Sequence, residues 1–256
     1  MLVHSTHFVS GMSIYIHEEP TWPRFQWGRE KLAEQLAVVH RGQGRLLGRM
    51  EALGFELRQE AVLETLTEDV LMSSGIEGEQ LDAEQVRSSI ARQLGMDIGG
   101  LEPVEGVVEM LLDATRHYEK PLTAERLFAW HASLFPTGRS GMRPIRVGAW
   151  RDESSAGMQV VSGPVGNERV HFEAPAGNRL GLEMRGFLDW FNGNAENDWV
   201  VRAGVAHLWF VTIHPFDDGN GRLARVIADM TLARSEGSSQ PFYSMSAQIR
   251  QERAAY

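Results

Sequence analysis

Apolar residues recur at close to 3.6-residue spacing along most of the chain, the pattern of helices with one buried face. Leu32, Leu36, Val39, Leu46, Met50 and Leu53 mark a long amphipathic helix that stops near Gly54. Leu57, Ala61, Leu66, Val70 and Leu71 mark a second over 57–74. Asp82 with Gln85 reads as a capping-box-like start, and Val86, Ile90 and Leu94 carry that stripe to Gly95. Further helices are predicted over 105–118, 123–135, 180–192 and 199–212, from Arg222 to Ala233, and near 244–250. The glycine- and proline-rich stretch 137–177 breaks the helical period, and within it Met158-Gln159-Val160-Val161-Ser162 has the β-forming character of a hairpin strand. There is no repeat of roughly 20 to 50 residues. The predicted architecture is all-α with one small β-hairpin.

Bulk properties narrow the class of protein. With 256 residues and 43% hydrophobic content the chain can bury one large core. It has no cysteine, which excludes a disulfide scaffold, a thiol nucleophile and a cysteine-zinc site, and suits a reducing cytoplasm. The formal net charge of −9 argues against a broad nucleic-acid surface, though a local basic pocket remains compatible with it. No apolar run reaches the ~18 to 20 residues that span a bilayer, and the first residues lack the order of a signal peptide. Met12 would serve as an initiator equally well as Met1. The expectation is a cytoplasmic protein with no membrane partner.

The densest chemistry lies in His214-Pro215-Phe216-Asp217-Asp218-Gly219-Asn220-Gly221-Arg222-Leu223-Ala224-Arg225. Pro215 and the Gly219-Asn220-Gly221 turn interrupt the helical period, which resumes with Leu223, Val226, Ile227 and Met230, so the turn opens a helix. A helix start offers unpaired N–H donors and a favourable dipole to an anion. Arg222 and Arg225 are three apart and share a helix face, where two guanidinium forks can grip separate phosphates. Taken singly, the glycine turn is an ordinary turn, a histidine is more often a core residue than a catalyst, and helix arginines are usually solvated. In this order they have no common structural purpose. His207 is read as a core histidine, since it stands among Leu208, Trp209, Phe210 and Val211 and has no partners at metal-ligand spacing.

This segment resembles the signature of the Fic family, His-Pro-Phe-x-(Asp/Glu)-Gly-Asn-Gly-Arg-x-x-Arg, at every specified position. The resemblance implies a protein adenylyltransferase that moves AMP from ATP to a Ser, Thr or Tyr hydroxyl of a target protein or of itself. It implies that His214 is the general base and that Asp218 holds Mg²⁺. Gly219, Asn220 and Gly221 would then cradle phosphates, and Arg222 and Arg225 would bind the phosphate tail. Gly221 favours AMP transfer over the kinase activity of the related Doc branch.

The end of the second predicted helix, Ser73-Ser74-Gly75-Ile76-Glu77-Gly78, reads on spacing as a helix with a glycine stop. It also resembles the family's inhibitory motif (Ser/Thr)-x-x-x-Glu-(Gly/Asn), matched by Ser73, Glu77 and Gly78. Its position before the core is that of the class II layout, an N-terminal inhibitory helix in the same chain. The expected block is a bidentate Glu77–Arg225 pair where the γ-phosphate belongs. Glu77 could equally orient a water for removal of AMP, and a nucleotide-sensing interaction module is a third reading. Arg146-Val147-Gly148-Ala149-Trp150-Arg151 looks like the approach to the Fic flap, with Met158, Gln159, Val160 and Val161 either an edge that docks a target or a merely structural hairpin.

The resemblance divides the chain into an N-terminal helical segment, 1–100, carrying the inhibitory motif, and a Fic catalytic domain, 101–256. Trp22, Trp27 and the run Leu46-Leu47-Gly48-Arg49 resemble the domain that precedes Fic in some bacterial proteins. The final helix looks unfinished, as expected of a chain cut before the winged-helix domain that often follows in bacterial relatives. Tyr243, Met245 and Tyr256 are the adenine-contact candidates against a default of core packing. A homo-oligomer is compatible with all of this.

Overall fold

The computed structural model describes residues 15–96, 104–152, 158–162, 169–193 and 198–252. Met12 and Tyr256 lie outside the described residues. The helices are α1 (Arg29–Glu51), α2 (Phe55–Ile76), α3 (Ala83–Gln93), α4 (Gly106–Arg116), α5 (Ala124–Leu134), α6 (Leu180–Asn192), α7 (Trp199–Ile213), α8 (Asn220–Glu236) and α9 (Met245–Gln251). Two antiparallel ribbons complete the fold: β1 (Arg139–Ser140) with β2 (Arg143–Pro144), and β3 (Gln159–Ser162) with β4 (Arg169–Glu173). The expected hairpin is the second ribbon. The first was not anticipated, because two-residue strands around the Gly141 turn are too short to show a period.

Helix starts follow local chemistry. The side chains of Asp82, Thr123, Asp198 and Ser244 each accept a hydrogen bond from a first-turn amide, which satisfies a donor that the helix cannot pair itself. Helix stops use left-handed glycines, Gly78 after α2, Gly95 after α3 and Gly237 after α8.

The core forms around α8, which packs along α7 and also meets α2, α4, α5 and α9. Leu223, Val226, Ile227 and Met230 of α8 are buried with Leu63, Leu66 and Val70 of α2, Met110 and Leu111 of α4, and Phe210 and Ile213 of α7. Each such side chain contributes about 1.5–3 kcal/mol on leaving water. Because α8 is surrounded on most sides, Arg222 and Arg225 at its start are carried into the interior and cannot be solvated surface cations.

Helix α1 is the expected amphipathic helix, with Leu32, Leu36, Leu46, Leu47 and Met50 half-buried along one face, but none of its residues is fully buried. Val38 and Val39 are 56% and 44% exposed. Polar contacts also hold it: His40 with Asp198 at 2.6 Å, and Gln43 to Glu236 at 2.6 Å and to Tyr243 at 3.0 Å. The stripe has a polar Gln43 at its middle and is too sparse in large apolar groups to seal a core contact.

Candidate active site

Helix α7 ends where His214 takes φ 52° and ψ 59°, a left-handed conformation that no other non-glycine residue adopts among the described residues. That conformation costs an L-residue roughly 1–2 kcal/mol, so the surroundings must impose it. His214 N–H still bonds the Phe210 carbonyl at 3.0 Å, and its Nδ1 lies 3.3 Å from the Val211 carbonyl. A carbonyl only accepts, so Nδ1 carries the proton and Nε2 keeps its lone pair. Burial, with a smaller contribution from the Arg151 cation, holds the imidazole below its ordinary pKa against the opposing pulls of Val211, Asp218 and Glu77. At neutral pH it is therefore an uncharged base.

The loop after His214 is braced from within and from outside. Asn220, 2% exposed, accepts from the Phe216 N–H at 3.0 Å and donates to the Phe216 carbonyl at 2.9 Å. Its side chain is thus spent on the loop, leaving only its backbone for an anion. His131 on α5 stacks on the Phe216 ring at 4.2 Å, while its Nδ1 accepts from the Gly148 N–H and its Nε2 lies 3.2 Å from the Asp218 carbonyl. The Asp218 carboxylate accepts from the Ser140 hydroxyl and from the Gly219 N–H at 2.6 Å. Gly219, the N-cap of α8, has φ 78° and a Cβ there would stand 2.9 Å from the Phe135 ring, so only glycine fits.

His214, Asp218, Gly219, Asn220, Gly221, Met158 and Glu77 line one cavity of about 320 Å³, with Ser140, Arg143 and Asp217 completing its rim. Residues that follow α2 and α7, the residue before β3, the first ribbon and the start of α8 therefore meet at one place, and that volume is within the range of ligand sites.

The α2 end enters this cavity from the side. Arg225, 1% exposed, donates Nε to Ser73 Oγ at 2.9 Å, and its Nη2 reaches the Ser73 carbonyl at 3.1 Å and Glu77 Oε1 at 2.7 Å. The expected bidentate fork is not what forms. One carboxylate oxygen meets one guanidinium nitrogen, because Ser73 already takes the Nε corner. A Cβ on Gly221 would fall 2.3 Å from Glu77 Oε1, so the carboxylate lies directly over the glycine turn.

Arg222 is held in the same way by a residue that sequence reasoning missed. Its Nη1 donates to Glu79 Oε2 at 2.8 Å, and its guanidinium lies over the Phe135 ring at 5.1 Å. Glu79 stands immediately after the matched motif, and only its charge could have drawn notice. Ser140, Arg143 and His131 were missed as well. His131 occupies an ordinary helical position in the sequence, and nothing before the fold brings it to Phe216.

Other expected positions resolve differently. His207 is half-buried on α7, and burial pulls its pKa down to about 4. Tyr243 lines a separate interior cavity with Asp69, Asp229 and Glu236, and its hydroxyl bonds Glu236 at 2.5 Å. These contacts match the default expectation of packing for Tyr243. Met245 opens α9, which packs on α2. Of the flap residues, Met158 precedes β3 and faces the cavity, Gln159 bonds Glu173 at 2.7 Å, Val160 is 50% exposed, and the ladder shifts register between Val160 and Val161. The described residues contain no cluster of three His, Cys, Asp or Glu able to hold a metal.

A helical body that brings a histidine and a glycine turn to one cavity, with two buried arginines on the helix that the turn opens, defines the class, a Fic-type helical domain. Residues 121–232 match the Fic/DOC family, so this part of the chain carries a Fic/DOC domain. Residues 15–96 match a domain of unknown function (DUF4172). Among curated proteins, the protein adenylyltransferase Fic of Drosophila mojavensis is 25% identical over 178 residues, covering 67% of this chain and 32% of that protein. Protein adenylyltransferase fic-1 of Caenorhabditis elegans is 38% identical over 55 residues, covering 21% of this chain and 11% of its own. The chain spans about a third of the length of the curated fly relatives it matches. A Fic family protein from Desulfovibrio desulfuricans G20 shares the fold with a TM-score of 0.61 at 22% identity, over 91% of this chain and 66% of that one. A Fic domain containing signaling protein from Bacteroides thetaiotaomicron does so at 0.59 and 19%, over 84% and 78%.

Proposed function

We propose that the chain is a protein adenylyltransferase that transfers AMP from ATP to a protein hydroxyl and is held inactive by Glu77. The observation that carries this reading is the His214 ring, uncharged with Nε2 free, in the cavity floored by Gly219, Asn220 and Gly221. The acceptor oxygen attacks the α-phosphorus as Nε2 takes its proton. The bond from the α-phosphorus to the bridging oxygen breaks, and pyrophosphate leaves. Amides of the turn at the start of α8 neutralise phosphate oxygens, and the dipole of the helix adds to them.

Mg²⁺ fits the donor set through Asp218. Magnesium is commonly held by one or two carboxylates plus substrate phosphates, and the two hydrogen bonds on this carboxylate leave lone pairs free. When bound, the ion would neutralise charge on the phosphate tail.

Glu77 supports the inhibitory reading because it already occupies the Arg225 corner and the space over Gly221. Glu79 on Arg222 extends the block, so that both signature arginines are engaged by carboxylates from one loop. A second reading, removal of AMP from a modified protein, is favoured by the position of Glu77 on the same cavity wall as His214, where its carboxylate can orient a water. Target docking along β3 and a self-associated form belong to the same proposal. His214→Ala in the Glu77→Gly background is the direct test: transfer should fall by about 10² to 10⁴ while ATP affinity holds. A variant that keeps more than about a third of the rate removes His214 from the chemistry.

A further inference from the structure

Strain at His214 requires something that enforces it, and Arg151 is placed to do so. This residue is 1% exposed. Its Nε donates to the His214 carbonyl at 2.9 Å, its own N–H donates to the Pro215 carbonyl at 2.8 Å, and its Nη2 donates to the Pro175 carbonyl. The neighbouring Trp150 fixes this segment by packing on Phe216 at 5.0 Å and Phe128 at 4.4 Å. Pro175 follows Ala174, whose N–H bonds the carbonyl of Met158 at 2.8 Å, and Met158 lines the cavity. A continuous run of contacts thus joins the flap to the backbone of the base.

We propose that Arg151 is a positioning residue that holds His214 in its left-handed conformation and ties the base to the β3–β4 flap. This rests on the adenylyltransferase reading only for the kinetic consequence. The geometry needs a planar fork: Nε and Nη2 point to two different carbonyls on two different segments, which a single ammonium cannot span at once. The guanidinium itself never touches the reacting atoms. Its effect is to fix where Nε2 stands, and misplacement of a catalytic group by 1 Å costs on the order of 10²-fold in rate.

The test compares Arg151→Lys and Arg151→Gln in the full chain carrying Glu77→Gly, so that the brake is absent. Expected in both is a fall in AMP transfer on the order of 10²-fold at unchanged KM for ATP. The backbone chemical shifts and HN–Hα coupling of His214, which report a positive φ, should move away from their parent values. That spectroscopic readout is independent of any reaction. If the Glu77→Gly parent transfers no AMP, the functional reading fails while the His214 shifts still judge Arg151. The proposal is overturned if the variants keep the His214 signature and lose less than about threefold in rate. It is also overturned if they lose ATP binding and folding along with activity, which is the mark of a merely structural residue.

Discussion

Removing the Glu77 carboxylate is the perturbation with the largest expected gain. The contact is one charge-assisted hydrogen bond of 2.7 Å to an arginine that is 1% exposed. Hydrogen bonds to charged groups contribute about 1.5–3 kcal/mol. The Glu77 side chain is 39% exposed, and solvent screening places this pair at the low end, ~1.5 kcal/mol. A competitor of that strength at the Arg225 corner lowers occupancy by the phosphate tail by about tenfold, since 1.4 kcal/mol is a factor of ten. Volume adds to charge, because Glu77 Oε1 fills the space above Gly221. Glu77→Gly removes both and should raise AMP transfer by at least about tenfold. Glu77→Gln keeps the volume and should give a smaller rise. The assay is autolabelling or target labelling with ATP at matched concentrations, alongside calorimetric ATP binding. A Glu77→Gly protein that stays folded, binds ATP and gains nothing refutes the brake, and one that loses AMP removal from a modified substrate supports the hydrolase reading instead.

Three other outcomes follow from the same contacts. With His214 as the proposed base and burial lowering its pKa, the rate should be flat through neutral pH and fall only below the ordinary histidine value of about 6.5. In Glu77→Gly the loss of a nearby negative charge lowers that pKa further, and a pH-rate limb that moved up instead would remove His214 as its source. Glu79→Ala should tighten ATP binding less than Glu77→Gly does, because Glu79 is 49% exposed, and calorimetry showing the reverse order would put the main block on Arg222. Asp229→Asn should raise the melting temperature at pH 7 and have little effect at pH 3. Asp229 Oδ2 is buried without a hydrogen-bond partner, and burial followed by the Asp69 charge raises its pKa well above normal. A raised carboxyl favours folding below its unfolded pKa of about 3.9 and loses that contribution as pH rises through the folded value, which calorimetric melts across pH would check.

Much of the site was legible because its residues are adjacent in the chain. His214 through Arg225 is a loop and a helix start, and local rules place a turn, an anion-accepting helix end and two arginines on one face. Glu77 was legible through its motif, although its single-oxygen geometry depends on Ser73 reaching Arg225 first. Residues that act across the fold were not legible. His131 braces Phe216 from α5 and Ser140 bonds Asp218 from a two-residue strand, and no period or spacing marks such partners in advance. Asn220 shows the opposite case, a residue read as part of the phosphate cradle whose side chain is committed to its own loop. Helix α1 shows that periodicity reports a helix but not its burial, which depends on what the rest of the chain brings against it.

The central claim is transfer of an adenylyl group with His214 as base, and the position of the radiolabel tests it most directly. Purified Glu77→Gly protein is incubated with α-³²P-ATP and, separately, with γ-³²P-ATP, each with Mg²⁺ and beside the Glu77→Gly, His214→Ala double variant. The account predicts label on protein from the α position only, and none in the double variant. Label from the γ position would identify a kinase, and label from the α position that survives loss of His214 would contradict the base assignment.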